Sequence, residues 1–319
     1  MKAKNCLIFG GSGNIGRHLI RKLTKSNIRV TVVTRNMHQK SYIIKTQANA
    51  GYIDIVEANI YDEIKIRKLF QKADICINLV GILFEKNKKN TFKKIHSDFP
   101  EILSRICKNN NIDLIHISAL ALNEAKDSKY AQSKIIGEKK IRENLLEATI
   151  IKPSIVHSVD DNFSTKLLSL LRLLPFFPLY YNGETKYSPI HASDVAELIF
   201  FVISKKIYSK DIEAIGPEVL SFRKMIQILL KSINKKKFLL PLPLSLAKTL
   251  AFFFQLLPNP LLTIDQLRLL KYDNIKSEKG ITNFDIGCPS KILFEKSVNS
   301  YSYNWRDGGK YSITKTDKL

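Results

Sequence analysis

Cysteine is scarce in this chain, and its spacing excludes two kinds of site. The 319 residues include four cysteines, which lie far apart without a Cys-x-x-Cys pair. Neither a disulfide framework nor a thiolate zinc site is therefore predicted, and a reducing compartment is favoured. The six histidines lack the short His-His spacings of metal sites, so we predict no metal.

Acidic side chains are also few. The chain has 29 acidic and 51 basic residues, a net charge of +22 at pH 7. Such a surface is compatible with nucleic acid, an anionic lipid or an acidic protein partner. Nucleic acid is disfavoured, because the cations are mostly lysine and no nucleic-acid-binding motif accompanies them.

Long uninterrupted apolar runs are missing. The apolar region 238–262 is broken by four prolines, Pro241, Pro243, Pro258 and Pro260. Residues 244–257 can form a helix of about 21 Å, short of a hydrocarbon core of about 30 Å, so no transmembrane helix is predicted. This segment is either core or a surface against a membrane or partner. The lysines at 235–237 favour contact with an anionic membrane surface.

The amino terminus shows no targeting segment. The apolar stretch 6–10 is too short for a signal-peptide core, and no arginine- and serine-rich presequence precedes it. We therefore expect a cytoplasmic protein, with peripheral contact at the cytoplasmic face of the inner membrane.

Short apolar runs alternate with helix-length stretches in the first half of the chain. The predicted strands are 6–9, 28–34, 52–56, 75–80, 114–117 and 149–151, and the predicted helices include 14–25, 63–71, 92–109 and 130–145. This alternation predicts an α/β fold, a doubly wound Rossmann parallel sheet with helices on both faces. We assign the sheet to residues 1–156 with a return segment at about 190–216, a smaller interleaved C-terminal α/β lobe to 157–306, and a disordered tail to 307–319.

The first predicted strand leads into a glycine-rich turn typical of dinucleotide binding. The turn consists of Gly10, Gly11, Ser12, Gly13, Asn14, Ile15 and Gly16. Gly10 would permit the tight turn, Gly13 the approach of a pyrophosphate, and Gly16 close helix–strand packing. The helix N-terminus would attract the phosphates. A glycine turn without a ligand is the alternative.

Arg35 stands where the choice of cofactor is expected. An acidic residue about 20 positions after the glycines would bind the adenosine ribose of NAD. The second predicted strand instead ends in Thr34-Arg35, with no acid before Asp54. Because arginine can pair with a 2′-phosphate, NADP(H) is favoured over NAD(H). The alternative is that Arg35 is an ordinary surface cation.

Ser118, Tyr130 and Lys134 form a candidate catalytic set. Ser118 ends the fifth predicted strand, while Tyr130 and Lys134 share one face of the next helix. A phenol with a pKa near 10 needs a nearby cation to act as an acid or base at neutral pH, and Lys134 is placed to supply that charge. Ser118 would hold a substrate oxygen against the phenol.

Together these motifs resemble the short-chain dehydrogenase/reductase superfamily in its extended, epimerase-like form, over most of the chain. The resemblance implies that Tyr130 and Lys134 also contact the cofactor. It implies further cofactor contacts at Asn59, Ile60, Leu79, Val80, Gly81 and Pro153. Asn59 departs from the aspartate that usually lies against the adenine.

The resemblance can be narrowed to an atypical branch of the superfamily. Five segments carry this narrower resemblance: 78–85, 151–156, 240–244, 263–266 and 303–306. This branch contains the NADPH-binding accessory subunit of respiratory complex I and its bacterial homologues. The resemblance implies a structural NADPH and respiratory complex I subunits as partners. An active NADP-dependent oxidoreductase or epimerase remains the alternative, and a nucleotide-regulated scaffold is a third. The residues do not separate the first two, because a site can keep its side chains while its substrate entry is closed.

We expect Arg35→Asp to weaken NADPH binding far more than NADH binding, because a carboxylate repels the 2′-phosphate. Titration of both cofactors against the purified wild type and variant measures this. An equal loss of affinity for both cofactors would defeat the cofactor assignment.

Overall fold

The structure, a computed structural model, describes residues 5–257 and 259–311. The strands among them are β1 (Asn5–Phe9), β2 (Arg29–Thr34), β3 (Ile53–Glu57), β4 (Ile75–Asn78), β5 (Asp113–Ile117), β6 (Thr149–Pro153), β7 (Val156–His157), β8 (Phe176–Leu179), β9 (Lys186–Tyr187), β10 (Ile190–His191), β11 (Asp211–Ala214), β12 (Leu220–Ser221), β13 (Phe238–Pro241) and β14 (Ile281–Thr282). The α-helices are α1 (Asn14–Lys25), α2 (Met37–Lys45), α3 (Glu63–Phe70), α4 (Phe99–Asn110), α5 (Lys129–Asn144), α6 (Ser164–Leu173), α7 (Ala192–Lys205), α8 (Phe222–Ser232), α9 (Leu244–Phe254), α10 (Ile264–Leu269) and α11 (Phe294–Asn299). A π-helical turn, Lys93–Asp98, leads into α4.

Eight parallel strands form the main sheet, in the order β14-β11-β6-β5-β4-β1-β2-β3. The central strands are almost entirely buried, as expected when helices cover both faces. The chain order reverses between β1 and β4, which opens a crevice at the carboxyl edge of the sheet. The predicted fold class, a doubly wound Rossmann sheet, is confirmed.

The first of two compact units contains this sheet. It comprises the chain up to Pro153, together with Ala192–Ala214 and Ser277–Pro289. Ala192–Ala214 supplies α7, which packs on α1, and β11, which pairs with β6. Ser277–Pro289 supplies β14, which lies within the predicted C-terminal lobe 157–306. A strand of two residues is too short to produce a recognisable apolar pattern.

The second unit comprises Ser154–His191, Ile215–Lys276 and the chain from Ser290. Its core lies around α6, α8 and α11, and three pairs of short strands accompany it, β7 with β10, β9 with β12, and β8 with β13. In the tail that the sequence analysis expects to be disordered, Gly309–Tyr311 forms a 3-10 turn. Residues 312–319 lie outside the described residues.

Helix α9 lies in the apolar region whose role the sequence leaves open. Its fully buried residues, Ala247 and Ala251, pack on Leu267 of α10. Two larger side chains, Phe252 and Phe253, are 51% and 60% exposed. Only the face of α9 that carries Ala247 and Ala251 therefore belongs to the core. Within the described part of the chain, no helix has the length and apolarity needed to span a bilayer.

Candidate functional site

The glycine turn between β1 and α1 is closely packed on its inner side. Gly10 has φ +85°, in the left-handed region that favours glycine. A Cβ at Gly10 would lie 3.0 Å from the carbonyl carbon of Leu79, and one at Gly11 would lie 2.5 Å from Val32. A Cβ at Gly16 would lie 2.5 Å from the Gly11 oxygen. Gly16 therefore lets α1 pack closely against the turn itself.

The outer side of the turn is open. Gly13 is exposed, and a Cβ there would meet only the Gly10 oxygen, at 3.2 Å. Gly13 is the N-cap of α1, whose first turn contains no acidic residue. A helix start of this kind attracts phosphate through its N–H groups and positive dipole end. With the partly exposed Ser12, Asn14 and Ile15, the turn fits the pyrophosphate of a dinucleotide.

The carboxyl ends of β2 and β3 carry Arg35 and Asn59, both exposed, followed by the buried Ile60. Arg35 Nη1 donates to Asn90 Oδ1 at 2.9 Å. Asn59 Oδ1 accepts from the Tyr61 N–H at 3.1 Å, so it closes a local turn. In this fold the adenosine half of a dinucleotide lies at these strand ends.

Asn78 fixes the turn after β4. It is fully buried, its Oδ1 accepts from the Val80 N–H at 3.1 Å, and its Nδ2 donates to His116 Nδ1 at 3.0 Å. The turn presents partly exposed Leu79 and Val80 and exposed Gly81 at the crevice. The predicted strand 75–80 ends at Asn78 because this side chain bonds the backbone two residues later.

Tyr130 and Lys134 lie on one face of α5. Lys134 is 3% exposed, and its Nζ donates to the Ile117 oxygen at 3.0 Å. Burial lowers the pKa of Lys134 to about 8, against the opposing charge of Glu138. Burial also raises the pKa of Tyr130 to about 12. In the chain on its own, burial therefore favours the neutral form of both side chains.

Ser118 joins a different set of groups. Its hydroxyl donates to Glu138, one helical turn beyond Lys134. Glu138 in turn pairs with Lys152 at 2.9 Å, and Lys152 pairs with Asp211 at 2.8 Å. The single hydroxyl proton of Ser118 is therefore donated to a carboxylate, whereas the predicted role of Ser118 is to hold a substrate oxygen beside Tyr130.

His96 lies beside the Tyr-Lys pair, and sequence reasoning missed it. Its ring is edge-on to Tyr130, with centroids 5.2 Å apart. Its Nε2 accepts from the Ile82 N–H at 3.1 Å, and its Nδ1 lies 2.9 Å from Ser133 Oγ. Burial, assisted by the charge of Lys134, lowers the pKa of His96 to about 2, so the ring is neutral. His96 thus joins the turn after β4 to helix α5.

Gly137 permits the contact between α5 and the π-helical turn. A Cβ at Gly137 would lie 1.8 Å from the His96 carbonyl oxygen, so another residue would force these segments apart. A glycine inside a helix is the sequence signal that could have indicated this close packing. Pro153, a predicted cofactor contact, is buried at the end of β6, and its oxygen accepts from the Leu120 N–H at 3.0 Å.

Comparison with known proteins gives a family match and two kinds of relative. The profile of the NAD dependent epimerase/dehydratase family matches residues 6–216. Mitochondrial NADH dehydrogenase (ubiquinone) 1 alpha subcomplex subunit 9 of Arabidopsis thaliana is 25% identical over 98% of this chain and 81% of its own length. The mitochondrial NADH-ubiquinone oxidoreductase 40 kDa subunit of Neurospora crassa is 22% identical over 96% and 80%. UDP-glucuronic acid 4-epimerase of Bacillus cereus, solved with UDP-glucuronic acid and NAD, shares the fold (TM-score 0.69, 16% identity, 94% and 99% covered).

We expect Lys134→Met to remove part of the pH dependence of stability. The pKa of Lys134 falls from 10.5 to about 8 on folding, so between pH 8 and 10 the unfolded chain binds more protons and stability rises with pH. At about 1.36 kcal/mol per pKa unit, the fall from 10.5 to about 8 corresponds to about 3 kcal/mol. Denaturant unfolding at pH 7 to 10 measures it.

Lys139→Met is the matched control, because Lys139 is an exposed lysine on the same helix. This variant should retain the pH dependence of the wild type. An equal loss in both variants would contradict the assignment to Lys134.

Proposed function

Because the chain belongs to the NAD dependent epimerase/dehydratase family, we propose that it holds NADP(H) as a structural element of a subunit or assembly partner of respiratory complex I. Membership confirms the resemblance inferred from the glycine turn and the Tyr-Lys pair. A nicotinamide dinucleotide is the cofactor of this family. The preference for NADP(H), the partner and the structural role are the proposal.

The extent of the likeness carries the complex I assignment. The family match ends at residue 216, whereas the likeness to the Arabidopsis subunit covers 98% of the chain and therefore includes much of the second unit. A dinucleotide-binding fold serves many functions, so similarity beyond it is the more informative part. The Neurospora protein, similar over 96% of the chain, is also named as a subunit of NADH-ubiquinone oxidoreductase.

Arg35 supports the preference for NADP(H). Its side chain is exposed at the end of β2, and its hydrogen bond to Asn90 uses one of five guanidinium N–H donors. The remaining donors suit a phosphate, which arginine binds through two parallel hydrogen bonds.

Ser118 supports a structural role for the cofactor. An acid/base site would need the Ser118 hydroxyl for a substrate oxygen, but its proton goes to Glu138. Burial also moves the pKa of Tyr130 away from neutrality, to about 12. The alternative, an active NADP-dependent oxidoreductase or epimerase, is favoured by the presence of Tyr130 and Lys134 on one face of α5.

We expect a tagged chain, expressed in its own host, to co-purify with NADH-ubiquinone oxidoreductase subunits and to carry NADPH.

Tyr130→Phe should leave both the bound NADPH and NADH-driven oxygen consumption unchanged, because the structural role does not use the phenolic proton. Cofactor content and membrane respiration measure this. A Tyr130→Phe variant that keeps its NADPH but loses the catalytic turnover of the wild type would instead support the enzyme.

We also propose that an exposed apolar face of the second unit contacts an anionic membrane at the cytoplasmic side of the inner membrane. Phe238 lies opposite Phe176 in the β13–β8 pair, and the two are 79% and 49% exposed. The lysines at 235–237 directly precede Phe238, and each lysine near anionic lipid contributes about 1 kcal/mol. Exposed apolar side chains beside lysines suit a lipid surface.

We expect the protein to co-sediment with vesicles that contain anionic lipid at low salt and to be released at high salt, because screening weakens the lysine contribution. Phe238→Ser should reduce the bound fraction severalfold, while Tyr42→Ser, an exposed aromatic on α2 of the first unit, should not. Binding that is insensitive to Phe238→Ser would exclude this face.

A further inference from the structure

The segment Glu85–Lys94 crosses the carboxyl edge of the main sheet. It follows β4, yet it contacts Arg35 after β2 and Tyr61 after β3. Because β1 lies between β4 and β2 in the sheet, the segment must pass over the end of β1, where the glycine turn begins. It therefore spans the crevice in which this fold binds a dinucleotide.

Two long-range hydrogen bonds hold the segment across the crevice. Arg35 Nη1 donates to Asn90 Oδ1 at 2.9 Å, and the Tyr61 hydroxyl donates to the Lys89 oxygen. Within the segment, Asn87 Oδ1 accepts from the Asn90 N–H at 2.9 Å. These contacts fix a tight turn directly beside Arg35.

The returning end of the segment is anchored as well. The Phe92 N–H donates to Glu85 Oε1 at 2.7 Å, which joins the two ends of the segment. The Phe92 ring packs edge-on against Tyr130, with centroids 5.9 Å apart. The segment thus links the two ends of the crevice, Arg35 at one and Tyr130 at the other.

Lys94 lies against Tyr61 at the adenosine end, where Arg35 bonds Asn90 of the same segment. Lys94 Nζ lies 5.7 Å from the centroid of the Tyr61 ring and donates to the Lys88 oxygen at 3.1 Å. Arg35 is close enough to lower the pKa of Tyr61, against the larger opposite effect of burial. The Glu85 carboxylate is hydrogen-bonded to the Phe92 backbone. Like charges gathered at one place repel each other unless an anion lies between them.

We propose that the segment Glu85–Lys94 closes over the 2′-phosphate end of the bound dinucleotide and that Lys94 is the second cation, with Arg35, for that phosphate. This inference rests on the NADP(H) binding proposed above. A dinucleotide held in this way leaves only after the Tyr61–Lys89 and Arg35–Asn90 contacts break. Slow release of this kind suits a cofactor with a structural role.

Lys94→Gln, compared with Lys93→Gln, tests the second cation. Both lysines are exposed in the same π-helical turn, and both changes remove one positive charge. We expect Lys94→Gln to weaken NADPH binding about tenfold, the effect of one charge-assisted contact, without changing NADH binding. Lys93→Gln should change neither. Fluorescence titration of the full chain with each cofactor measures both affinities.

The outcomes separate this inference from the proposed function. A wild type that prefers NADPH, together with a Lys94→Gln variant that keeps the whole preference, overturns only the role of Lys94. Equal losses of NADPH affinity in Lys94→Gln and Lys93→Gln also overturn the role of Lys94, because such losses report net charge alone. A wild type that binds NADH as tightly as NADPH overturns both proposals.

Tyr61→Phe tests closure, since it removes the hydroxyl that bonds Lys89 and keeps the ring. We expect NADPH to dissociate about fivefold faster from this variant, as measured by stopped-flow displacement, because one hydrogen bond across the crevice is lost. Unchanged dissociation, or tighter NADPH binding, would overturn the proposal. Tighter binding would mean that the segment occupies the crevice and competes with the cofactor.

Discussion

Parallel pairing of the central strands is the constraint on which the site depends. Because β4, β1, β2 and β3 run in one direction, the segment after each strand begins at the same edge of the sheet. The reversal of chain order between β1 and β4 opens a crevice at that edge, and the glycine turn lies at its centre. Side chains at Gly10 or Gly16 would collide with neighbouring backbone, so the crevice keeps its shape only with glycine there.

The features that depend on neighbouring residues could be predicted from the sequence. The sequence predicts the first helix over residues 14–25, and it is observed as Asn14–Lys25, because its apolar period and the preceding glycines are local signals. The alternation of strand and helix likewise predicts the parallel, doubly wound class of the sheet. The helix predicted over 92–109 instead begins as a π-helical turn, at which Gly137 of α5 approaches the His96 backbone closely.

The partners of the functional side chains could not be predicted in the same way. Ser118 finds Glu138 twenty positions later, and His96 bonds Ile82 and lies beside Ser133, so each contact depends on how separate elements pack. Residue type alone does not reveal such contacts. The net charge of +22 likewise does not identify a ligand by itself. Only the folded chain brings Lys94 against Tyr61 and Arg35 to Asn90, which lie far apart in sequence.

The burial of Lys134 is a cost to the stability of the fold rather than a contribution to it. Burial of an ammonium group is unfavourable, and its lowered pKa records that cost. An apolar side chain at this position would remove the cost, so the lysine serves something other than the core. Its bond to the Ile117 oxygen uses one of three donors, which leaves donors for a polar ligand in the crevice. A bound dinucleotide meets this requirement with or without turnover. The Tyr-Lys pair therefore supports cofactor binding, while the use of the Ser118 proton bears on catalysis.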